Sequence, residues 1–213
     1  MVIVSLTDLH GRDGTGAECM KQLAEADLVV ICGDITTFRG ADVARTVLKP
    51  IFDANQNVLA VPGNCDQTDV NDYLDTLGIN LHGISRVIGD VAFYGLAGSS
   101  PTPFATPQEY RDETIALMLS RLTRDPSAEY HVLVSHAPPY ATVVDQVSLG
   151  NHAGSRAVRA FIERFQPDLC LCGHIHEAIG TDRIGHTLII NPGPYPKHFA
   201  RIEITKEITC KLF

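Results

Sequence analysis

The residues best suited to metal chemistry stand late in the chain, directly after a strongly apolar run. The segment Cys172-Gly173-His174-Ile175-His176 follows residues 168–171, which are typical of a buried strand. Two imidazoles separated by a single residue pack poorly in an apolar core, but they bind first-row divalent metals well. We therefore expect a metal site here, with its other ligands supplied by the ends of other strands.

An alternation of buried strands and helices would bring such ends together. Strands are predicted at residues 2–6, 28–32, 57–61, 130–134 and 168–172, and helices at 17–26, 41–52, 70–77, 106–122 and 155–165. The alternation implies right-handed crossovers and a mainly parallel sheet, whose strands end at a common edge. Residues 85–88 and 91–96 predict a hairpin, and antiparallel strands are expected after residue 179. The pattern predicts one domain over residues 1–213.

Local signals refine three of these segments. Pro50 is expected to bend or end the second helix. The helix at 106–122 depends on Thr106-Pro107-Gln108-Glu109, with a capping residue, a proline at the first helical position and a glutamate at the third. The loops at 98–107 and 137–154 are expected to set substrate selectivity, since compact domains seldom keep long loops without a use for them.

Seven polar side chains follow the predicted buried strands. They are Asp8, His10, Asp34, Asn64, His136, His174 and His176. Each alone is also explained as a turn, cap or loop residue, but their shared position at one sheet edge favours a common site. Asp8 and His10 should point the same way if the backbone there is extended, and so should His174 and His176. Seven donors exceed the needs of one ion and suit two ions, roughly 3.5–4 Å apart, that share a carboxylate.

Composition and charge narrow the classes of function. The 213 residues carry a formal net charge of -8, which argues against broad nucleic-acid binding. No apolar stretch is long enough to span a membrane, and no signal peptide is visible. The six cysteines show no paired spacing, so we expect reduced thiols in a cytoplasmic protein. The oligomeric state stays open, a homo-oligomer included.

The motifs resemble those of the calcineurin-like metallophosphoesterases. The family pattern is D-x-H, G-D, G-N-H-D/E, a single histidine and G-H-x-H, and it is matched in order across residues 8–176. The matching residues are Asp8-Leu9-His10, Gly33-Asp34, Gly63-Asn64-Cys65-Asp66, His136 and Gly173-His174-Ile175-His176. The resemblance implies an α/β fold, a four-layer α/β/β/α sandwich of two mixed sheets.

The same resemblance assigns the ligands to two metal ions. The first ion would be held by Asp8, His10, Asp34 and His176. The second would be held by Asp34, Asn64, His136 and His174, with Asp34 as the bridging carboxylate. Imidazole and carboxylate ligands do not select one metal, and we expect manganese, with iron, zinc, nickel and magnesium as alternatives.

The activity implied is that of a phosphoesterase in which a hydroxide bridging the two ions attacks phosphorus in line. The substrate is expected to be a small phosphoester, with phosphodiesters favoured over phosphomonoesters. A metal-binding interaction scaffold, such as the retromer subunit with this fold, is an alternative, and so is a nuclease. The complete ligand set favours catalysis over a scaffold, and the acidic balance disfavours a nuclease.

One position departs from the family pattern and bears on the choice of substrate. Cys65 stands where many members have a histidine that is thought to protonate the leaving group or position the phosphate. A thiol has a reference pKa of about 8.5 and donates weakly, so Cys65 should not be an equivalent general acid. Some small members with G-N-C-D hydrolyse phosphodiesters. Cys65 is expected mainly to fill space beside the metals, and Asp66 to cap the next helix or orient Asn64.

Four further side chains are candidates for contact with the substrate. Asn64 could hold both a metal and the phosphate. His152 precedes a predicted helix N-terminus, which favours anions, and is the candidate replacement acid, with a solvent-facing loop histidine as the alternative. Arg12 and His198 are further candidate phosphate contacts.

Overall fold

The structure, a computed structural model, describes residues 1–213 apart from the side chain of Leu149. The strands are β1 (Val2–Leu6), β2 (Leu28–Cys32), β3 (Val58–Val61), β4 (Ser85–Ile88), β5 (Val91–Leu96), β6 (Tyr130–Ser135), β7 (Leu169–Leu171), β8 (Gly180–Ile184), β9 (Thr187–Asn191), β10 (Ala200–Ile204) and β11 (Ile208–Leu212). The helices are α1 (Ala17–Glu25), α2 (Ala41–Ala54), α3 (Asp69–Thr76), α4 (Asp112–Ser120) and α5 (Arg156–Phe165). Among the described residues, no helix has the length and apolar character needed to cross a membrane.

The strands form two mixed sheets. The first has the order β11-β10-β1-β2-β3, and the second has the order β4-β5-β6-β7-β9-β8. In the first sheet β1, β2 and β3 are parallel, and β10 and β11 add antiparallel pairs at one side. In the second sheet β5, β6, β7 and β9 are parallel, with antiparallel β4 and β8 at the two edges. The parallel strands of both sheets therefore supply the ends expected to carry the site.

Three apolar clusters define four layers. One lies between the sheets and joins residues such as Val30 and Leu59 to Phe93 and Val134. A second packs the outer face of the first sheet against α1, α2 and α3. The third packs the outer face of the second sheet against α4 and α5. This is the expected α/β/β/α sandwich of two mixed sheets, and burial on both faces explains the continuous apolar runs of the parallel strands.

The predicted start of the fourth helix at Thr106 is wrong. Glu109 Oε1 does accept from the backbone N–H of Thr106 at 2.8 Å, as in a capping box, but no helix follows. Instead Tyr110 N donates to Ser99 O at 2.8 Å, so the segment is held by the preceding loop, and α4 begins only at Asp112. Tertiary pairing has overridden a genuine local signal.

Two other predictions need correction. Strand β9 is not purely antiparallel, because it pairs in parallel with β7 on one side and antiparallel with β8 on the other. Helix α2 continues past Pro50 to Ala54, whereas we expected it to end near residue 52. The loop at 137–154 contains two short 3-10 turns, Val143–Asp145 and Ser148–Gly150.

The cluster between the sheets sets their spacing, and Phe93 is its largest aromatic side chain with 0% exposure. Replacing it by alanine should lower the free energy of unfolding by about 3–5 kcal/mol, because a buried cavity would remain. Urea denaturation of the metal-free protein measures this. The matched control is Leu117→Ala, at a side chain that is 57% exposed, with an expected change within about 0.5 kcal/mol. Equal effects of the two changes would contradict the four-layer packing.

Candidate metal centre

The ends of five parallel strands converge where the two sheets meet. Strands β1, β2 and β3 of the first sheet supply Asp8, His10, Asp34 and Asn64, and β6 and β7 of the second supply His136, His174 and His176. The sheets are joined directly here, because His136 Nδ1 donates to Cys32 O at 2.7 Å and His174 N donates to Asp8 Oδ2 at 3.1 Å. The structure thus brings together all seven side chains named from the sequence, while their role as ligands stays a prediction.

The backbone at these residues is left-handed rather than extended. Asp8, His10, Asp34 and His174 have φ of 55°, 49°, 50° and 70°. Our reason for expecting the paired residues to point the same way was therefore wrong, although they do converge. Left-handed φ at a residue other than glycine costs roughly 1–3 kcal/mol and is typical of functional sites. The turns aim side chains from successive positions into one small volume.

Asp8, His10 and His176 form the first group. His176 Nε2 lies 3.3 Å from Asp8 Oδ1, and His10 Nε2 lies 3.9 Å from the same oxygen. The two imidazole nitrogens are only 3.1 Å apart. Asp8 Oδ1 is fully buried and has no hydrogen-bond partner among the described residues. An orphaned carboxylate oxygen facing two imidazoles is a ready coordination site for a cation.

Asp34, Asn64 and His136 form the second group, beside the ring of His174. His136 Nε2 lies 3.4 Å from Asp34 Oδ1 and 2.9 Å from Asn64 Oδ1. The rings of His136 and His174 have centroids 5.1 Å apart. Asp34 also faces the first group, because its Oδ2 lies 3.7 Å from His10 Nε2. Its two oxygens therefore face different groups, as a bridging carboxylate requires.

The buried charges shift one another's protonation. Burial opposes charge on His136, but the adjacent Asp34 carboxylate outweighs it and raises the pKa of the imidazole to about 9. The same pairing holds the pKa of Asp34 below its usual range, although burial alone would raise it. Burial, together with the nearby charge of His136, lowers the pKa of His174 to about 4. Without a cation, the protein offsets the charge of Asp34 chiefly through His136, whereas the contact with Asp8 raises the pKa of His176.

Neighbouring side chains orient the two groups. Thr7 Oγ1 donates to Asp8 Oδ2 at 2.9 Å, and Thr37 Oγ1 lies 3.0 Å from His10 Nδ1. Thr106 Oγ1 accepts from Asn64 Nδ2 at 2.9 Å. Such partners fix the tautomer or orientation of a ligand. Sequence reasoning missed these three threonines; for Thr7 and Thr37 the only signal was a position within three residues of Asp8 and Asp34.

Asp66 joins two loops instead of capping the next helix. Its carboxylate accepts from Gly63 N at 2.8 Å, from Thr36 N at 2.7 Å and from Ile35 N at 3.1 Å. The cap of α3 is Thr68, so the capping role that we expected for Asp66 is wrong. Burial, with the charge of Asp34 nearby, raises the pKa of Asp66 to about 7. The residue locks the loop after β2 to the loop after β3.

Cys65 lies half-buried on the wall of a cavity of about 580 Å³ that opens onto both groups. Burial, reinforced by the charge of Asp34, raises the pKa of the thiol well above its ordinary value. The loop at 98–107 lines the same cavity with Ser100, Pro101, Thr102, Pro103, Phe104 and Thr106, and the loop at 137–154 contributes Val147 and Ala153. Both loops expected to set selectivity therefore border the site.

Three residues named from the sequence lie outside this cavity lining. Arg12 Nη1 donates to Tyr195 O at 2.9 Å, and His198 Nδ1 lies 3.3 Å from Phe213 O. His152 Nδ1 contacts the buried carboxylate of Asp145 at 2.7 Å. Its neighbour Ala153, not His152 itself, is part of the lining.

The N-terminus of α5 is not open to a phosphate. Asp112 accepts from Ser155 Oγ at 2.5 Å and from the backbone N–H groups of Arg156 and Ala157 at 3.3 Å. A carboxylate of the chain itself therefore occupies the anion position that we expected to serve the substrate.

The charges along the cavity show that the site fits divalent cations. Among the described lining residues, Asp34 and Glu177 are acidic and none is lysine or arginine. An anionic ester would be repelled by such a surface unless cations covered the carboxylates. The orphaned oxygen of Asp8 and the facing imidazoles of His10 and His176 show where the donors converge. Mixed nitrogen and oxygen donors suit first-row divalent ions.

The fold and the site define a class of protein with two sheets, α/β architecture and a centre of carboxylates and imidazoles. Comparisons with known proteins agree with this class. An uncharacterised protein of Methanocaldococcus jannaschii is 40% identical over 199 residues, covering 91% of this chain and 88% of the relative. A dimetal phosphatase of Danio rerio has a TM-score of 0.65 at 12% identity, over 100% of this chain and 95% of its own. GAP50 of Plasmodium has a TM-score of 0.66 at 15% identity, over 100% of this chain and 84% of its own.

The family is settled by a match along most of the chain. The family model for calcineurin-like phosphoesterases matches residues 1–178, and the chain belongs to this family. The matched range includes both groups of the candidate metal centre.

Manganese should stabilise the folded protein, because an ion that binds only the native state adds about 2.7 kcal/mol at a hundred times its Kd. Thermal unfolding with manganese and with EDTA measures the effect. In Asp34→Asn most of this stabilisation should be lost, since both groups share that carboxylate. Glu177→Gln, which removes an exposed acidic group from the same cavity, is the matched control and should keep it. Equal manganese stabilisation in the two variants would contradict the shared role of Asp34.

Proposed function

We propose that this phosphoesterase hydrolyses phosphodiesters and that it uses two divalent metal ions, manganese among the candidates. The observation that carries the proposal is the convergence of the seven candidate ligands beside Cys65 on the cavity wall. The donors account for the dependence on metal, and the thiol accounts for the preference between esters. Membership of the family indicates metal-dependent hydrolysis of phosphoesters, whether the substrate is a diester or a monoester.

Each of the two groups of side chains in the candidate metal centre would hold one ion. Asp8, His10 and His176 would hold the first ion, and Asn64, His136 and His174 the second, with Asp34 shared. When bound, such ions supply an acidified water as nucleophile and positive charge at the phosphoryl oxygens. His136 would hold its ion through Nε2, because its Nδ1–H is committed to Cys32 O.

Asn64 can bind the phosphate as well as a metal. One hydrogen of its amide goes to Thr106 Oγ1 at 2.9 Å, which fixes the plane of the group. The Nδ2 atom also lies 3.5 Å from Cys65 Sγ, a weak partner on the cavity wall. A phosphoryl oxygen beside Cys65 would be a stronger acceptor for that second hydrogen.

Two features of the cavity favour diesters over monoesters. A diester carries a single negative charge and a monoester close to two, so Glu177, the acidic lining residue that is not among the seven candidate ligands, repels the monoester more strongly when ions cover Asp34. In addition, a thiol is a weak hydrogen-bond donor, and Cys65 offers no imidazole to protonate the leaving group, which penalises esters with basic leaving groups. His152 is the proposed replacement donor, oriented by its contact with the buried Asp145.

A scaffold function remains the rival. GAP50, which shares the fold, is described as the anchor in the inner membrane complex of Plasmodium. A likeness at 15% identity extends to the fold alone. The convergence of all seven donors on a cavity favours catalysis for this chain.

With manganese, kcat/KM for bis(p-nitrophenyl) phosphate should exceed that for p-nitrophenyl phosphate, because Glu177 repels the doubly charged monoester more strongly. EDTA should abolish both activities, since the unloaded cavity repels anions. Initial rates at matched pH measure this. Glu177→Gln, which keeps the metal ligands, should narrow the preference, and His186→Ala, at an exposed histidine outside the cavity lining, should leave it unchanged. A tenfold preference for the monoester would overturn the proposed substrate class, and no turnover of any ester despite two bound ions would favour a scaffold.

Cys65→His should raise kcat/KM for phenyl phosphate at least about tenfold, because an imidazole can protonate the basic phenolate leaving group. The companion variant Cys65→Ala should keep hydrolysis of bis(p-nitrophenyl) phosphate within about threefold of the original. A hundredfold loss in Cys65→Ala would show instead that the thiol takes part directly.

His152→Ala should lower kcat/KM at least about tenfold for a diester with a phenol leaving group and less for one with p-nitrophenol, which needs little protonation. Steady-state kinetics on the two diesters separate the cases. His186→Ala, at an exposed histidine of the β8–β9 turn, is the control. Losses under twofold on both substrates would remove His152 from the mechanism.

A further inference from the structure

We propose that Phe38 and Phe104 form a subsite for a planar ring on one substituent of the substrate. The proposal rests on the proposed phosphodiester hydrolysis and names the class of ester: one organic group carries an aromatic ring or a nucleobase. Both side chains line the cavity that holds the candidate metal centre. A diester that reaches the metals must place one of its two organic groups along this cavity.

Phe38 is exposed under backbone strain. Half of its side chain, 50%, is open to solvent, and its φ of 53° is left-handed, which a bulky residue rarely adopts. Its backbone N–H donates to Cys65 O at 2.9 Å, so the turn is fixed to the loop that carries Asn64. An exposed phenyl ring held by a strained turn beside a site is the pattern expected of a ligand contact.

Phe104 is the most exposed of the large apolar side chains in the described part of the chain, at 77%. Its loop is nevertheless tied to the candidate metal centre. Thr106 Oγ1 accepts from Asn64 Nδ2, Gln108 N donates to Asn64 O at 3.0 Å, and Gln108 Nε2 donates to Asp66 O at 3.0 Å. The ring is therefore held at a defined place relative to the donors, although solvent surrounds most of it.

The surroundings favour stacking over hydrogen bonding. Pro101 and Pro103 add further apolar surface to the same wall, and phenyl rings offer no hydrogen-bonding groups. Base–aromatic stacking discriminates weakly between different rings, because each has a π-face.

The cavity is large enough for a ring together with its phosphate. Its volume of about 580 Å³ lies within the range of small-molecule sites, roughly 300–1,000 Å³. A ring with its phosphate fits that volume. Because the apolar wall is continuous with the metal donors, its occupant is part of the substrate rather than a separate partner.

The test uses two diesters with the same leaving group, thymidine 5′-(p-nitrophenyl phosphate) and ethyl p-nitrophenyl phosphate. With manganese, kcat/KM should be at least about tenfold higher for the thymidine ester, as expected for stacking on two rings. Phe104→Ala and Phe38→Ala should each reduce kcat/KM for the thymidine ester about five- to tenfold and kcat/KM for the ethyl ester less than twofold. Phe104→Trp should retain the preference and Phe104→Leu should lose it, because only tryptophan keeps a ring face.

The control is Leu117→Ala, an exposed apolar change on α4 away from the cavity, which should leave both values unchanged. Equal rates for the two diesters, or an octyl ester as good as the thymidine ester, would overturn the ring subsite. A change in oligomeric state in Phe104→Ala with unchanged kinetics would overturn it in favour of a protein contact.

Equilibrium binding separates this proposal from the catalytic one. Calorimetric titration of the manganese-loaded protein with thymidine 5′-monophosphate and with ethyl phosphate should give at least about tenfold tighter binding of the former, lost in Phe104→Ala. If neither ester is hydrolysed but this difference holds, the catalytic proposal fails and the subsite stands. If both esters are hydrolysed and the two ligands bind equally, the subsite fails alone.

Discussion

Two buried carboxylates, Asp8 and Asp34, are the constraint on which the rest of the structure depends. Their side chains are almost inaccessible, and no lysine or arginine stands among the described residues of the cavity beside them. Buried charge is costly unless it is paired. His136 offsets part of it through Asp34, but Asp8 Oδ1 has no hydrogen-bond partner among the described residues and faces only the imidazoles of His10 and His176. Divalent cations would complete the balance, and they would also give an acidic cavity its affinity for anions.

The fold can be understood as the means of holding those charges in place. The apolar cluster between the sheets fixes the strand ends, and left-handed turns at Asp8, His10, Asp34 and His174 direct the donors inward. Asp66 then links the loops after β2 and β3. The same loops carry Phe38 and, through Thr106, hold the segment of Phe104. Donors and cavity wall thus share one rigid support.

Sequence reasoning located the parallel strands and the seven donors, because apolar runs ended by Asp, His or Gly-Asn are local patterns at a common sheet edge. It failed where distant pairing decides the outcome. No helix begins at Thr106, because Tyr110 pairs with Ser99 instead. The N-terminus of α5 is occupied by Asp112, which lies 43 residues before Ser155 in the sequence. The left-handed turns and the supporting threonines also escaped it, because neither backbone handedness at such residues nor a side chain's partner follows from spacing alone.

The seven side chains are proposed to hold two ions that share Asp34. Anomalous diffraction from manganese-soaked crystals can locate these ions, because each ion gives its own peak. Two peaks are expected roughly 3.5–4 Å apart. One should lie between Asp8, His10 and His176, and the other among Asn64, His136 and His174, with Asp34 between them. A single peak at full manganese occupancy, or a pair of peaks away from Asp34, would contradict the proposal.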